Sequence, residues 1–392
     1  MQWGIGMKIL MYKWKVYTQD DIVKAFNNMG HQVDIFDRNL KNHNEDEEFT
    51  NEMSNLITDN RYDFVFTVNY FGAVSDACQR CNVKYVVWTC DSPLISMHHQ
   101  SVFNECNYLF IFDKVNYYMF RAVGVKKIFY MPLAVDTNRL DVLISNATDL
   151  NKYNSDISFV GSMYEKNSYD DIKNTLSDYL RGYFEAAMLA QIDIFGENIL
   201  DKLLTPNILS ELINCIDFQQ DKRSFSNIEL VFSTTFLGFK VASMERIMCL
   251  NELAKKHRVD LYTDSNSVEL IGVNNMGSVD YHIDMPKVFH QSKINLNFTI
   301  RNIRSGIPLR VWDVLGAKGF MLTNFQAEIP QYFENGKDLV YFESIDDMSK
   351  KVDYYLIHEE ERMQIAKNGY EKVKKYHSYE TRLKQMISDI QI

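Results

Sequence analysis

Short apolar segments alternate with longer amphipathic segments along the chain, and this alternation predicts its secondary structure. In the N-terminal part the apolar segments are typical of strands, and they span residues 7–12, 31–36, 63–68, 84–89, 108–112 and 127–131. Segments of helical length separate them, including one at 19–29 that Gly30 ends and an acidic one at 45–57. Strands that alternate with helices predict a doubly wound parallel sheet, in which ligands bind beyond the carboxyl ends of the strands.

A second series of elements follows a polar stretch at residues 138–156, which we take as the domain boundary. The series begins with a strand that leads into Gly161 and Ser162, followed by one long helix at 169–190 and mostly helical sequence at 191–255. A strand at 259–263 and a short helix at 285–292 come next. The first domain is therefore predicted to end near residue 150.

Residues 293–324 form the most distinctive stretch. KINLNFTI alternates apolar and polar side chains, which predicts a strand. Ser305 and Gly306 then make a turn, with Ser305 as the predicted N-cap of a helix and Pro308 in its first turn. The helix ends at residues 316–319, and the apolar segment FMLTN predicts the next strand of a parallel sheet.

The charge of this stretch suggests anion binding. From Arg301 to Trp312 there are three arginines, the third being Arg310, and no acid, although the whole chain has a net charge of −10. Free backbone N–H groups and the dipole of a helix start also favour an anion. Arg310 and Asp313 are three residues apart and share a helix face. Arginine suits a phosphate and a carboxylate suits a ribose hydroxyl pair, whereas the alternative is a solvated surface ion pair.

Several motifs resemble those of the CgeB-like (spore-maturation type) glycosyltransferases of the GT-B class. They are SKINLNFTIRNIRSGIPLRVWDVLGAKGFMLTN at 292–324, HSYETRL at 377–383 and, more loosely, VVWTCDSP at 86–93. The resemblance implies two Rossmann-like, doubly wound parallel-sheet domains that face a cleft. Residues 1–150 would form the acceptor-side domain, 151–376 the nucleotide-sugar donor domain, and 377–392 a helix that crosses back to the first domain.

The resemblance also implies roles for individual residues. In retaining GT-B enzymes two glutamates separated by seven residues flank the helix start, and the second holds the donor ribose. Asp313 has that second position here, while Ser305 stands at the first, which leaves the contact to the donor sugar open. Lys318 stands where relatives commonly have a small residue. The donor-binding residues implied are Gly161, Ser162, Lys166, Arg304, Ser305, Gly306, Arg310 and Asp313, with Arg310 also acting in catalysis.

Asp91 is the candidate on the acceptor side. It follows the predicted strand 84–89, so we expect it to face the cleft and to orient or deprotonate an acceptor hydroxyl. The alternative is an Asx turn before Pro93. His98 and His99 follow closely, and surface or capping roles are favoured for them.

No metal site and no cofactor are expected, apart from the nucleotide-diphosphate sugar as co-substrate. Cys78 and Cys81 form a CxxC without a second pair of ligands. Asp280, His282 and Asp284 alternate in DYHID, but this pattern favours a solvent-facing segment.

Composition narrows the class of protein. The 392 residues are 46% hydrophobic and 24% charged, which is typical of a globular chain. The net charge of −10 argues against nucleic acid as the main partner. We expect neither a signal peptide nor a transmembrane helix, which leaves peripheral membrane contact open. Six cysteines without framework spacing favour a reduced, cytoplasmic protein, and low glycine and proline content is compatible with an AT-rich bacterial genome.

The sequence thus predicts a hexosyltransferase-type glycosyltransferase that uses a nucleotide-diphosphate sugar and a glycan or protein acceptor. By resemblance we expect it to be metal-independent and retaining. Two alternatives stay open. One is a catalytically inactive two-domain binding protein, which the serine at 305 favours, and the other is a sugar-nucleotide epimerase, which fold alone does not exclude.

Overall fold

The computed structural model describes residues 6–216, 218, 221–265 and 269–390. It divides into two compact units. Unit 1 comprises Met1–Ala134, Gln220–Ser226 and Ser378–Ile392, and unit 2 comprises Val135–Gln219 and Asn227–His377. The structure therefore assigns residues 135–150 to the second unit, whereas the sequence analysis placed them in the first. The reason is local packing, because Leu140 and Val135 lie against Gly316 of unit 2.

Unit 1 contains a parallel six-stranded sheet in the order β2-β1-β3-β4-β5-β6. Its strands are β1 (Lys8–Tyr12), β2 (Gln32–Phe36), β3 (Phe64–Val68), β4 (Lys84–Trp88), β5 (Asn107–Ile111) and β6 (Ile128–Tyr130). Its helices are α1 (Gln19–Asn28), α2 (Glu47–Asn60), α3 (Gly72–Cys81), α4 (Lys114–Ala122) and the C-terminal α16 (Tyr379–Ile390), with 3₁₀ turns at Ile95–Met97 and Gln100–Phe103. Each of the predicted strands of this part is present.

Unit 2 contains a second parallel six-stranded sheet in the order β12-β11-β10-β7-β8-β9. Its strands are β7 (Ser155–Val160), β8 (Val259–Tyr262), β9 (Asn274–Asn275), β10 (Ser292–Asn297), β11 (Met321–Asn324) and β12 (Val340–Phe342). The helices before β8 are α5 (Thr137–Asn146), α6 (Ser168–Ile172), α7 (Asp178–Ile192), α8 (Pro206–Ile213), α9 (Ile228–Val231) and α10 (Phe239–Ala254), with a 3₁₀ turn at Leu150–Tyr153 and a π-helical segment at Phe232–Gly238. The later helices are α11 (Met285–Gln291), α12 (Leu309–Gly316), α13 (Ile329–Tyr332), α14 (Ile345–Ile357) and α15 (Glu359–Tyr376).

The strand order of unit 2 reverses between β7 and β10. Both strands run in the same direction, and their connections leave on opposite sides at this point. In an open parallel sheet, such a reversal leaves a crevice at the carboxyl ends of the two strands, where ligands bind. In unit 1 the equivalent reversal lies between β1 and β3.

Apolar side chains fill separate cores. One core packs the helices of unit 1 on its sheet, and another does the same in unit 2. A third core holds the helical region of unit 2 together, from Tyr169 to Val241. Among the described residues no helix combines the length and apolar character needed to cross a membrane.

Two sequence predictions about unit 2 are wrong in detail. The single helix predicted at 169–190 is two helices, because the Ser177 side chain accepts a hydrogen bond from the Leu180 N–H and starts α7 anew. Ser305 does not cap α12, since that helix begins at Leu309 with Pro308 in the N-cap position. The residues from Arg301 to Ile307 form a loop instead.

Candidate functional site

The candidate site lies at the strand reversal of unit 2. Gly161 and Ser162 follow β7 directly, and Arg310 lies in the first turn of α12. A Cβ at Gly161 would overlap the Arg310 guanidinium, so this side chain rests on the bare backbone of Gly161. The structure thus brings together two predicted donor-binding residues that are far apart in the sequence.

A second arginine at this place, Arg246, was missed by the sequence analysis. It lies on α10 and is only 3% exposed. Its guanidinium donates hydrogen bonds to the carbonyl oxygens of Ser162 and Phe298, the latter at 2.8 Å. The available sequence signal was a charged Glu245-Arg246 pair in the middle of α10, followed directly by the apolar residues 247–250, which marks a buried polar contact without naming its partner.

The two guanidiniums share one aromatic ring. Their central carbons lie 5.2 Å (Arg246) and 5.1 Å (Arg310) from the centre of the Phe159 ring. Arg246 also lies 4.8 Å from the centre of the Tyr164 ring. Such contacts stabilise a cation by about 0.5–2 kcal/mol and leave its charge uncompensated.

Electrostatics make this place favourable for an anion. Among the described residues, neither Arg246 nor Arg310 forms an ion pair with a carboxylate. Burial, followed by the neighbouring charge of Arg246, lowers the pKa of Arg310 to about 10, and burial also lowers the pKa of Arg246. Arg310 therefore stays protonated at neutral pH, and an anion placed beside the two guanidiniums would relieve their desolvation and mutual repulsion.

Arg310 is oriented by the polar face of β10. The Asn297 side-chain oxygen accepts a hydrogen bond from Arg310 at 2.8 Å, while its amide nitrogen donates to the hydroxyls of Thr299 and Thr323 at 2.9 Å. The alternation in KINLNFTI therefore marks a strand whose polar side is buried as well, and this side positions the guanidinium.

Asp313 lies one turn further along α12 and is 7% exposed. The Tyr281 hydroxyl contacts both of its carboxylate oxygens, at 3.2 and 3.1 Å, and so orients the group. Tyr281 belongs to the DYHID segment, in which the Asp280 carboxylate accepts the backbone N–H groups of His282 and Ile283 at 2.8 Å. The segment is thus a turn that directs Tyr281 towards Asp313.

The loop before α12 is tied to other parts of unit 2. Arg301 pairs with buried Glu245 at 2.8 Å, and Arg304 pairs with Asp201 at 2.5 Å. The Ser305 hydroxyl donates to the Glu328 carboxylate at 2.7 Å. Gly306 is buried in the same loop, and Lys166 is exposed after β7. Contact of Arg304, Ser305, Gly306 and Lys166 with a donor stays a prediction.

Asp91 lies in unit 1, after β4. Its carboxylate accepts a hydrogen bond from the Asn69 amide at 2.7 Å, and the Asn69 side-chain oxygen accepts the N–H groups of Cys90 and Asp91 at 2.9 and 3.3 Å. Asn69 follows β3 in a left-handed conformation (φ 65°) that allows this clamp. Desolvation by surrounding protein raises the pKa of Asp91 against the opposing Asn69 hydrogen bond, although solvent screens the shift because the residue is exposed.

Comparisons with known proteins agree with this architecture. Residues 246–388 match the family model described as Glycosyl transferase-like, and the matched region begins at Arg246. A search of curated proteins finds no match.

Solved structures similar to this chain include a glycosyltransferase from Rickettsia africae (TM-score 0.52, 11% identity, 98% of this chain and 97% of that one). HepE of Anabaena in complex with UDP and glucose is also similar (TM-score 0.56, 10% identity, 98% and 99%). So is sucrose-phosphate synthase from Thermosynechococcus elongatus (TM-score 0.55, 7% identity, 98% and 98%). The chain therefore has the fold of GT-B glycosyltransferase structures, as its sequence predicted.

Proposed function

We propose that this protein is a glycosyltransferase that moves a sugar, as a hexosyltransferase does, from a nucleotide-diphosphate sugar to a glycan or protein acceptor. The observation that carries the proposal is the pair of guanidiniums, Arg246 and Arg310, beside Gly161 at the strand reversal of unit 2. Two adjacent cations without carboxylate partners fit a diphosphate better than any neutral ligand. The Glycosyl transferase-like match over residues 246–388 supports the same reaction class.

In this proposal, Arg246 and Arg310 stabilise the negative charge that develops on the leaving diphosphate. Preorganised cations in a desolvated site stabilise such charge strongly, and they perform the task that a metal ion performs in other sugar transferases. We therefore propose metal-independent transfer, and by family resemblance with retention of configuration. The absence of a side chain at Gly161 leaves the space in which the Arg310 guanidinium lies, from where it would contact the diphosphate.

Asp313 is proposed to accept hydrogen bonds from the donor ribose. A carboxylate suits a pair of neighbouring hydroxyls, and Tyr281 holds this one in a single orientation. The complex of HepE with UDP and glucose makes UDP the first nucleotide to test.

On the acceptor side we propose that Asp91 orients or deprotonates the attacking hydroxyl, since a raised pKa favours a general base.

The motifs at 292–324 and 377–383 lead us to propose the CgeB-like subtype. Ser305 remains its main departure. The Glu328 carboxylate that Ser305 contacts is 1% exposed and approaches from the N-terminal end of α13. The loop at Ser305 is therefore fastened through a carboxylate from another part of the chain.

Calorimetric titration with UDP, GDP, ADP, CDP and TDP tests the donor site. We expect one diphosphate to bind selectively, and Arg310→Gln and Asp313→Ala each to weaken it by about 10- to 100-fold, because a charge-assisted hydrogen bond contributes about 1.5–3 kcal/mol. Arg181→Gln is the matched control, since Arg181 pairs with Asp178 on the surface of α7. Equal binding by wild type and both site variants would overturn the donor site.

Turnover separates the alternatives. A transferase releases the nucleoside diphosphate from the matching sugar donor only when an acceptor is present. An epimerase interconverts the donor sugars without an acceptor. Selective nucleotide binding without either reaction, across a panel of glycans and proteins, would support the binding-protein alternative that Ser305 favours.

A further inference from the structure

Three potential ligand side chains meet in unit 1, away from every residue assigned to the donor. Glu45 precedes α2, His99 lies between the two 3₁₀ turns, and Asp221 begins the segment 221–226. One imidazole nitrogen and one oxygen from each carboxylate lie within 4.8 Å of one another. None of the three was a candidate ligand in the sequence, because the residues are separated by 54 and 122 positions.

The buried imidazole of His99 points its outer nitrogen at this group. His99 is 0% exposed, and its Nδ1 lies 2.7 Å from the Ser101 hydroxyl, which itself contacts the Tyr70 hydroxyl at 2.6 Å. Within the described part of the chain, His99 Nε2 has no hydrogen-bond partner, and Glu45 Oε1 lies 3.8 Å from it. A buried ring nitrogen without a partner is costly, which points to a ligand at this position.

The net charge of the side chains around this group is negative, which favours a bound cation. Arg223 contacts Asp76 at 2.9 Å and Glu45 at 3.2 Å. This single guanidinium stands against three carboxylates, those of Glu45, Asp76 and Asp221. A divalent cation held by Glu45 and Asp221 would balance the remaining negative charge, while Arg223 would keep its contact with Asp76.

We propose that Glu45, His99 and Asp221 bind one Zn²⁺ ion, with His99 Nε2 and one oxygen from each carboxylate as ligands and water in the fourth position. Tetrahedral Zn²⁺ with ligands at about 2.0–2.2 Å separates two ligand atoms by about 3.3–3.6 Å. The 3.8 Å between His99 Nε2 and Glu45 Oε1 is close to that spacing, and rotation of the Glu45 and Asp221 side chains would bring the whole group, whose ligand atoms lie within 4.8 Å of one another, to it. With Zn²⁺ on Nε2, the proton of His99 would lie on Nδ1 and donate to the Ser101 hydroxyl, in place of the 3.3 Å contact that Nδ1 otherwise accepts from the Ser101 backbone N–H, and would fix the ring as groups behind a ligating histidine do.

The ion would fasten the segment 221–226 to the rest of unit 1. This segment already pairs with the backbone around His99, through the Gln100 N–H to the Arg223 carbonyl and the Phe225 N–H to the His98 carbonyl, both at 2.8 Å. Zn²⁺ would add a cross-link between that pairing and the loop before α2. Its role is thus structural, and it is independent of the proposed transfer reaction.

Zn²⁺ binding to the full chain tests this site. The protein is stripped with EDTA, exchanged into buffer, and titrated with Zn²⁺ by calorimetry, with stoichiometry read by native mass spectrometry. We expect one ion per chain and a higher melting temperature with Zn²⁺. The double variant Glu45→Gln/Asp221→Asn should bind more than about 100-fold more weakly, since even groups that only orient ligands are worth about 10- to 100-fold.

Two controls keep the test specific. His282→Ala removes the histidine of DYHID and should leave Zn²⁺ binding unchanged. Co²⁺ in place of Zn²⁺ should give no intense thiolate charge-transfer band, because the six cysteines are not ligands. The proposal fails if the stripped wild type takes up no Zn²⁺ at micromolar concentration, if the double variant binds as well, or if the Co²⁺ spectrum shows thiolate ligation.

Discussion

The position of the Arg310 guanidinium depends on the missing side chain of one neighbour and on a hydrogen bond to another. Gly161 has no side chain, so the guanidinium can lie on its backbone, and Asn297 holds the side chain there through one hydrogen bond of 2.8 Å. The guanidinium also lies over the Phe159 ring, with its central carbon 5.1 Å from the ring centre. A single methyl group is therefore enough to disturb the proposed diphosphate site.

We predict that Gly161→Ala weakens nucleoside diphosphate binding by about 10- to 100-fold, because the added methyl displaces the Arg310 guanidinium and its charge-assisted contact. Calorimetric titration with the diphosphate that wild type selects measures the effect. Gly182→Ala is the matched control, since a Cβ there meets nothing within 4 Å and lies inside α7.

The control should leave nucleotide binding unchanged and stabilise the protein by about 0.5–1 kcal/mol, because alanine loses less backbone entropy than glycine in a helix. If Gly161→Ala binds the diphosphate like wild type, the guanidinium does not contact the donor from this position.

At the scale of elements, a polar cluster connects three helices of unit 2. Asp141 of α5 pairs with Lys318 at 2.7 Å, directly after α12, and also accepts from Tyr370 at 2.5 Å and Lys374 at 3.1 Å on α15. Lys318 has a left-handed conformation (φ 63°), which glycine adopts more easily because it has no Cβ. Its ion pair with Asp141 gives a physical reason for a lysine at this position.

We predict that Asp141→Asn destabilises the protein by about 1–2 kcal/mol at pH 7 and by less in acid. Burial raises the pKa of Asp141, but the hydrogen bonds from Lys318, Tyr370 and Lys374 outweigh it and hold the pKa below its usual range. A carboxyl with a lowered folded-state pKa stabilises the fold above its unfolded pKa of about 3.9, and this contribution disappears as the pH falls through the folded pKa.

Urea unfolding of wild type and variant at a series of pH values from 7 downward measures the difference. Asp346→Asn serves as the control, because Asp346 pairs with Lys350 on the exposed surface of α14 and should change stability by less than about 0.5 kcal/mol. A loss of stability that does not shrink in acid would assign the effect of Asp141→Asn to packing.

For the whole molecule, the two units carry different parts of the proposed reaction. Arg246, Arg310 and Asp313 belong to unit 2, whereas Asp91 belongs to unit 1. Arg310 and Asp313 lie on the helix that follows β10, at the reversal of the unit 2 sheet, and Asp91 follows β4, the neighbour of the reversal strand β3 in unit 1. Donor binding and acceptor activation should therefore respond to separate substitutions.

We predict that Asp91→Asn lowers the rate of sugar transfer by about 10²- to 10⁴-fold, the usual contribution of a general base, and leaves diphosphate binding unchanged. The rate is measured as acceptor-dependent release of the nucleoside diphosphate, using the donor and acceptor that give turnover. Asp37→Asn is the control, because Asp37 is an exposed aspartate that also follows a strand of unit 1. Normal turnover by Asp91→Asn would remove Asp91 from the acceptor side, and weaker diphosphate binding would assign it to the donor.

The sequence by itself determined the features that depend on neighbouring residues. The apolar periodicity located the parallel strands of unit 1 and β7, β8, β10 and β11 of unit 2, because side-chain direction in a strand or helix repeats over a few positions. The spacing of Arg310 and Asp313 placed them on one helix face, and the glycine after β7 marked a close approach of backbone. The break between α6 and α7 was missed, since a helix cap is a weak signal inside a long apolar pattern.

Only the tertiary structure decided which distant residues meet. Arg246 reaches the site from α10, Tyr281 reaches Asp313 from another turn, and Glu328 reaches Ser305 from α13. The strand order sets these encounters, and periodicity carries no information about strand order. Strand order also gives the three arginines of the central stretch different partners. Among the residues described, the folded chain supplies carboxylates to Arg301 and Arg304 and none to Arg310.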